Sequence, residues 1–305
     1  MTAWITTQIG SSLMRGQRDS GVVDAGVDHG ERAGALRRVG DLVLPHRGGL
    51  AVRQRGAGAL LTEAGKTTVS TNLAVGLAQK HPQQVVLVDA DVHFGDVASA
   101  LNLEPTHTLP EIARGRAAGD SIALKGVLTQ HASGLYVIPG SESPAAADVV
   151  TPQDLGTLLE MLRGLFEFVV VDTAPGLTDH TLGVLDHTDS LVLVTSLDVP
   201  GVRGLRKELD TLTDLRIVPG TKHIVVNFHD SSRGLTIADV EATIRSTVDV
   251  AIPVSQAVPL STNQGITLVQ SGGRDPATKR LREVVELVAP SEETGRGRRG
   301  RRTRT

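Results

Sequence analysis

Residues 64–68 of the chain read AGKTT and begin a helix-like stretch that continues to about residue 79. A short apolar run, residues 85–88 (VVLV), follows and ends in the acid Asp89. An apolar run of this length is typical of a strand that is buried on both faces of a parallel sheet. The succession of helix and buried strand is the signature of a βαβ unit, and it decides the predicted fold class.

The same alternation continues along the chain. Strand-like runs lie at residues 135–139, 168–172, 190–196, 223–227 and 250–253, and helix-like patterns lie at residues 155–165, 202–212 and 276–288. Repeated βαβ units are right-handed and place helices on both faces of a parallel sheet. The sequence therefore predicts an α/β fold with a doubly wound, mostly parallel sheet, and a ligand site at the carboxyl ends of its strands.

The composition agrees with this architecture. Hydrophobic residues make up 40% of the chain but aromatic residues only 2%, so the core must be filled by aliphatic side chains. The absence of cysteine excludes disulfides and thiolate metal sites. Because no run approaches the ~20 apolar residues that cross a bilayer and the start does not resemble a signal peptide, a cytoplasmic protein is expected.

Three regions are predicted from the changes in composition. Residues 1–55 are rich in Gly, Arg and Asp without a sustained period, which indicates an irregular or disordered segment. Residues 56–290 form the predicted folded domain, and residues 291–305 form an Arg-rich tail that is expected to be disordered. The net charge of −3 gives no general case for binding nucleic acid.

The stretch at residues 64–68 carries the strongest chemical signal. A phosphate site needs backbone N–H groups at a helix start, a lysine that neutralises the phosphate oxygens, and a hydroxyl for magnesium. Gly65, Lys66 and Thr67 supply these three parts. Taken alone, the tripeptide is equally compatible with an ordinary helix start.

Acidic residues strengthen the first interpretation. Asp89 and Asp91 end the strand after the helix, where Asp91 could orient or activate an attacking water. Asp172 ends another apolar strand, as an acid that supports magnesium does. Each acid taken singly could instead cap a helix or turn, but their joint order along the chain favours a nucleotide site.

These motifs resemble the MinD/ParA superfamily of P-loop ATPases. The resemblance is carried by residues 65–72, 86–97, 171–176 and 179–181, and it extends from about residue 65 to residue 288. Within the superfamily, residues 94–96 (FGD) and 197–200 (LDVP) are similar to the CpaE/TadZ branch, which acts in pilus assembly.

The resemblance implies a role for each matching residue. Lys66 and Thr67 contact phosphate and magnesium, with Lys66 also taking part in catalysis, and Asp91 serves the attacking water. Asp172 supports magnesium, and Asn227 reads the adenine edge. Predicted nucleotide contacts are completed by Gly65, Thr68 and Asp89. The resemblance further implies ATP and Mg²⁺ as ligands, a homodimer that forms on ATP, pilus or secretion assembly proteins as partners, and peripheral association with the inner face of the membrane.

The phosphate loop departs from the family pattern. Family members usually carry Lys-Gly-Gly-Val-Gly-Lys-Thr, whereas residues 61–67 read LTEAGKT. Leu61 stands in place of the signature lysine, two glycines are missing, and Glu63 adds a negative charge where phosphates approach. Weakened ATP binding and slow hydrolysis are therefore expected.

Two hypotheses account for this departure. One is a degenerate paralogue that has lost its ATPase activity. The other is a change of reading frame before Ala64, which is also where the resemblance begins. Residues 51–56, interpreted as the strand that leads into the loop, carry two arginines where an apolar run is expected.

Three functions follow from the sequence. The first is a weak ATPase that dimerises on ATP and localises pilus or secretion machinery. The second is a scaffold that binds ATP without hydrolysing it. The third is a ParA-like DNA partitioner, but DNA is an improbable partner because the Arg-rich tail alone does not provide a basic surface on the folded domain.

Overall fold

The computed structural model describes residues 56–61, 65–115, 120–141, 143, 148–217, 220–230, 232 and 234–290. For residues 56–61 and for Ser121 only the backbone is described. The segments predicted to be irregular or disordered, residues 1–55 and 291–305, lie outside the described residues.

The centre of the fold is an eight-stranded sheet with the order β3-β4-β2-β5-β1-β6-β7-β8. The strands are β1 (Gly56–Leu61), β2 (Val85–Ala90), β3 (Thr129–Gln130), β4 (Tyr136–Ile138), β5 (Phe168–Thr173), β6 (Ser190–Ser196), β7 (Thr221–His229) and β8 (Val250–Pro253). Every neighbouring pair is parallel except β3 and β4, which form a short antiparallel edge.

Helices cover both faces of this sheet. They are α1 (Lys66–Lys80), α2 (Val97–Ala100), α3 (Leu109–Arg114), α4 (Ser121–Val127), α5 (Pro152–Leu165), α6 (Asp179–Leu185), α7 (Val199–Asp214), α8 (Ile237–Ile244), α9 (Ala257–Gln264), α10 (Leu268–Ser271) and α11 (Pro276–Val288). One hydrophobic cluster joins the sheet to α3 to α8, and a second joins it to α1, α2, α10 and α11.

The predicted α/β fold with a mostly parallel sheet is confirmed, and many of the bounds agree closely. The last helix is observed at Pro276–Val288, the range predicted for it, with Leu281, Val284 and Val285 buried. The short β3 strand was not predicted, because two residues are too few to give an alternating pattern.

One prediction about the sheet was wrong. The strand that leads into the phosphate loop is observed at Gly56–Leu61, whereas it was expected at residues 51–56, of which residues 51–55 lie outside the described part of the chain. Its sequence, GAGALL, begins with small residues and therefore lacks the apolar run that marks the other central strands. Its register with β5 and β6 on either side identifies it as a central strand of the sheet.

The strand order reverses at β1, since β2 and β4 lie on one side of it and β6 to β8 lie on the other. In open α/β sheets a crevice forms at this reversal, beyond the carboxyl ends of the strands. Within the described residues, none of the helices combines the length and the apolar character needed to cross a membrane.

Candidate nucleotide site

Gly65 sets the direction in which α1 begins. It caps the helix in a left-handed conformation with φ 81°, which favours glycine because a side chain there is strained. A Cβ atom at this position would lie 2.6 Å from Nδ2 of Asn227. Residues 62–64, which complete the predicted phosphate loop, lie outside the described part of the chain.

The first residues of α1 carry the predicted lysine and hydroxyls. Lys66 is only 6% exposed, and its positive charge acts on Asp172. The hydroxyl of Thr67 hydrogen-bonds the same carboxylate. Thr68 lies one residue further along, half-buried, with its carbonyl accepting a hydrogen bond from Asn72 Nδ2 at 2.8 Å. The structure thus brings Lys66 and Thr67 together with Asp172, as the sequence predicts.

Asp172 lies near the end of β5, in register with Asp89 of β2. It is 2% exposed, and burial raises its pKa to about 6, although the Thr67 hydroxyl and the Lys66 charge both lower it. Its Oδ1 atom is buried and has no hydrogen-bond partner. Because a buried unpartnered carboxylate oxygen is costly, this atom is poised to accept from a bound water or to face a cation.

A magnesium ion fits these groups. Mg²⁺ prefers oxygen ligands, keeps several waters and is usually held by one or two protein groups together with substrate phosphates. The Thr67 hydroxyl and the unpartnered Asp172 Oδ1 offer such a partial set. The described residues contain no cluster of three or more His, Cys, Asp or Glu that could hold a metal by itself, so phosphate and water oxygens would have to complete the coordination.

Asp89 is turned into the protein instead of toward solvent. Its Oδ1 accepts a hydrogen bond from the Asp91 N–H at 3.2 Å, and its Oδ2 accepts one from the Val97 N–H at 3.1 Å. Burial, followed by the charge of Asp172, raises the pKa of Asp89 well above its usual value. A Cβ atom on Gly95 would lie 2.3 Å from Asp89 Oδ2, so only glycine lets the loop close over the carboxylate. This geometry favours a role for Asp89 in holding the loop, and its predicted contact with nucleotide stays a prediction.

The loop held by Asp89 carries Asp91. Asp91 is half-buried, and its Oδ1 accepts a hydrogen bond from the Phe94 N–H at 3.3 Å. The Phe94 side chain is 81% exposed beside it. The Asp89 carboxylate accepts hydrogen bonds from residues at both ends of the loop. These bonds hold Asp91 at the carboxyl edge of the sheet, where its predicted role requires it.

Asn227 lies near the end of β7, on the other side of Gly65 from the acids. It is 5% exposed, and its Oδ1 accepts a hydrogen bond from the Phe228 N–H at 2.9 Å. Its Nδ2 is the atom that a Cβ at position 65 would meet. The residue predicted to read the base therefore lies against the start of α1.

A polar cavity of about 440 Å³ opens beside Thr67 and Thr68, between α1, α2 and the region of α9 and α10. Hydroxyl and amide side chains dominate its lining, among them Asn72, Ser261 and Thr267. None of α2, α9 or α10 was predicted, since four to eight residues are too short for a helical period to stand out.

Comparison with known proteins agrees with the geometry. Residues 63–219, just over half of the chain, match the model of a family described as an AAA domain. The septum site-determining protein MinD of Escherichia coli K12 is 27% identical over 242 residues, which cover 75% of this chain and 87% of that protein.

Two solved structures share the fold. The ParA family ATPase from Chlorobium tepidum superposes with a TM-score of 0.71 at 20% identity, covering 77% of this chain and 98% of that one. The septum site-determining protein MinD from Pyrococcus horikoshii, in complex with Mg-ADP, superposes with a TM-score of 0.67 at 18% identity, covering 77% and 96%. Together with the family match and the residues at the sheet edge, these similarities lead to one conclusion: the chain belongs to the MinD/ParA family of P-loop ATPases.

Proposed function

We propose that this protein binds MgATP at the carboxyl ends of β1, β2 and β5, hydrolyses it slowly, and uses the nucleotide to control a homodimer that localises pilus or secretion machinery. ATP would favour the dimer that binds partners, and hydrolysis would release it. The partner class rests on the resemblance of residues 94–96 and 197–200 to the CpaE/TadZ branch.

The proposal rests on the groups that surround Asp172. A carboxylate oxygen without a partner is buried beside a hydroxyl and within the field of a buried lysine, at the start of a helix. Without a ligand, no hydrogen bond offsets the burial of that oxygen, whereas a magnesium-bound water would donate one to it.

Each residue contributes a different function. Lys66 and the N–H groups at the start of α1 bind phosphate oxygens, and the Thr67 hydroxyl and Asp172 hold the ion. Magnesium, when bound, neutralises charge on the phosphate oxygens. Asp91, fixed by its bond to the Phe94 N–H, orients the water that attacks the terminal phosphate.

The rate is expected to be low because of residues 61–64. Leu61 replaces the signature lysine, and Glu63 adds a negative charge near the phosphates, so both binding and transition-state stabilisation lose positive charge. This same feature supports the second candidate, an ATP-binding scaffold that does not hydrolyse ATP.

Phosphate release from ATP with Mg²⁺ tests the proposal when it is measured beside equilibrium binding of ATP. Lys66→Ala is expected to weaken binding at least about tenfold, since a charge-assisted contact is lost. Asp91→Ala is expected to leave binding intact and to slow hydrolysis about 100-fold or more. Matched controls are Lys222→Ala and Asp214→Ala, which remove an exposed lysine and an exposed aspartate elsewhere on the domain.

Different outcomes separate the candidates. If ATP binding requires Lys66 but the wild type does not hydrolyse ATP, the protein is the ATP-binding scaffold and not an ATPase. If neither variant differs from its control, the site assignment is wrong. Size-exclusion chromatography with light scattering, with and without ATP, tests the dimer, and a monomer in both conditions would contradict the proposed switch.

A further inference from the structure

Phe228 has an unusual backbone. It lies within β7 and yet adopts φ 55°, in the left-handed region that aromatic residues rarely enter. The other described non-glycine residues with positive φ are Gln83, Asn102, Arg216 and Arg245, which lie in a turn or next to a helix end. A strained residue inside a strand persists only where its surroundings hold it.

The surroundings of Phe228 do hold it. Its N–H donates to Oδ1 of the preceding Asn227 at 2.9 Å, and the pairing of β7 with β8 shifts register between Val226 and His229. Register shifts of this kind redirect a side chain next to functional sites. The direction in which the Phe228 ring points is therefore fixed by the end of the strand.

The ring points toward the start of α1. Its Cζ atom lies 3.8 Å from the position that a Cβ on Gly65 would occupy, which puts the ring next to the residues that bind phosphate in the proposed function. Phe228 is nevertheless 42% exposed, in a chain that contains only four phenylalanines. A partly open aromatic face thus lies at the edge of the phosphate site.

A second apolar side chain lies at the same edge. Val254 directly follows β8, is 47% exposed, and donates its N–H to the His229 carbonyl at 3.2 Å. The ends of β7 and β8 therefore carry a partly exposed aromatic ring and a partly exposed aliphatic side chain, and the buried Asn227 amide precedes the ring in the chain and lies near Gly65. Flat apolar faces and a polar edge are the features of a purine base that these groups would recognise.

We propose that Phe228 stacks against the purine base of the nucleotide whose phosphates bind at Lys66 and Thr67. This inference rests on the proposed function and adds to it the residue that covers the base. Stacking on an aromatic ring tolerates different bases, because each base has a π-face, so ATP and GTP both gain from it. The gain requires a base, so it does not extend to a bare triphosphate.

Equilibrium binding of three probes with Mg²⁺ tests the inference: ATP, GTP and inorganic tripolyphosphate, which has no base. Phe228→Ala is expected to weaken ATP and GTP binding by roughly 5- to 150-fold, the range that one base–aromatic stack supplies. Tripolyphosphate binding is expected to stay unchanged. Phe228→Trp should retain ATP affinity, whereas Phe228→Leu, which keeps an apolar side chain of similar length, should lose it. Ile122→Ala, which truncates an 86% exposed apolar side chain on α4, is the control.

Other results overturn the inference in distinguishable ways. Equal losses for ATP and tripolyphosphate would make Phe228 a support of the phosphate loop, and tighter ATP binding in Phe228→Ala would make the ring an obstruction. Wild-type affinity in all Phe228 variants would rule out stacking and leave the phosphate site standing. Wild-type protein that binds neither ATP nor tripolyphosphate would overturn the proposed function and this inference together.

Discussion

Two buried acids of this protein, Asp89 at the end of β2 and Glu208 in α7, differ in what surrounds them. Burial raises the pKa of both, that of Glu208 to about 7. Asp89 accepts hydrogen bonds from two backbone N–H groups, whereas both carboxylate oxygens of Glu208 are buried without a hydrogen-bond partner. A buried acid with fitted partners organises the backbone around it, and one without partners costs stability in its ionised form.

The largest expected effect comes from removing the acid with partners. Asp89→Ala removes the acceptor of the buried Val97 N–H and of the partly buried Asp91 N–H, and an unpaired buried donor costs about 1–3 kcal/mol. We expect the free energy of unfolding to fall by about 4 kcal/mol in urea titrations.

Asp89→Asn retains one carbonyl oxygen as an acceptor and should lose about half as much. The exposed Asp214→Ala is the control and should change little. A loss for Asp89→Ala no larger than that of Asp214→Ala would show that the bonds to the loop contribute nothing.

The opposite sign is expected for Glu208, which has no hydrogen-bond partner and whose pKa is raised by burial although the charge of Lys66 lowers it. Glu208 lies on the buried face of α7 with Leu205 and Leu212, and its folded pKa of about 7 exceeds its ordinary value of 4.5. The folded state therefore binds the proton more tightly than the unfolded state does. The contribution of Glu208 to the free energy of unfolding is therefore fully present below about pH 4.5 and decreases as the pH rises to about 7. Above that pH it is lost, which lowers the free energy of unfolding by on the order of 3 kcal/mol.

Glu208→Leu should remove this loss, so the variant is expected to exceed the wild type in stability at pH 8 by on the order of 3 kcal/mol and to differ less at pH 5. Urea unfolding at both values measures the difference. The pKa values of Asp89 and Asp172 are also raised, so the stability of the wild type alone does not isolate Glu208. The difference in free energy of unfolding between the variant and the wild type does. A Glu208→Leu variant that is less stable at pH 8 would mean that this carboxylate has a stabilising partner.

The smallest effect is expected for an exposed charge. Lys80 of α1 and Glu286 of α11 form an ion pair, but their side chains are 33% and 48% exposed. Exposed pairs contribute about 0–1 kcal/mol because water and salt screen them. Lys80→Ala should therefore change the free energy of unfolding by less than about 1 kcal/mol, and a double-mutant cycle with Glu286→Ala measures the pair itself. A coupling energy above about 1 kcal/mol would contradict the expectation that the exposed Lys80–Glu286 pair contributes less to stability than the buried acids Asp89 and Glu208 do.

The positions of Asp172 and Asp89 in the fold could be predicted from the sequence, while their roles stay predictions. Asp172 and Asp89 were found because each ends a continuous apolar run, and a run of that kind is visible without knowing its neighbours. Lys66 and Thr67 were found because the start of a helix is a local feature. Their arrangement around one edge then followed from the rule that parallel strands end together.

Other features had no local signal. Glu208 occupies a polar position in an amphipathic helix, which a sequence pattern cannot distinguish from an exposed one, and its burial depends on the face against which α7 packs. Phe228 follows an apolar run, as core residues commonly do, and only the register shift of β7 against β8 turns it toward Gly65. Strand β1 was misplaced because its small residues give little hydrophobic signal, and its pairing with β5 and β6 identifies it.

The sequence by itself determined the α/β class and the order of the main strands and helices, and it indicated the residue types of the predicted phosphate site, because periodicity and helix-start chemistry are properties of neighbouring residues. The tertiary structure alone decided which groups pair with each of the two acids. Asp89 and Asp172 end similar strands side by side, but the backbone N–H groups of residues 91 and 97 bind the first, while the Thr67 hydroxyl binds the second and leaves Oδ1 open. Hydrogen-bond partners that come from separate segments of the chain are fixed only when those segments pack, and they give two similar carboxylates different surroundings.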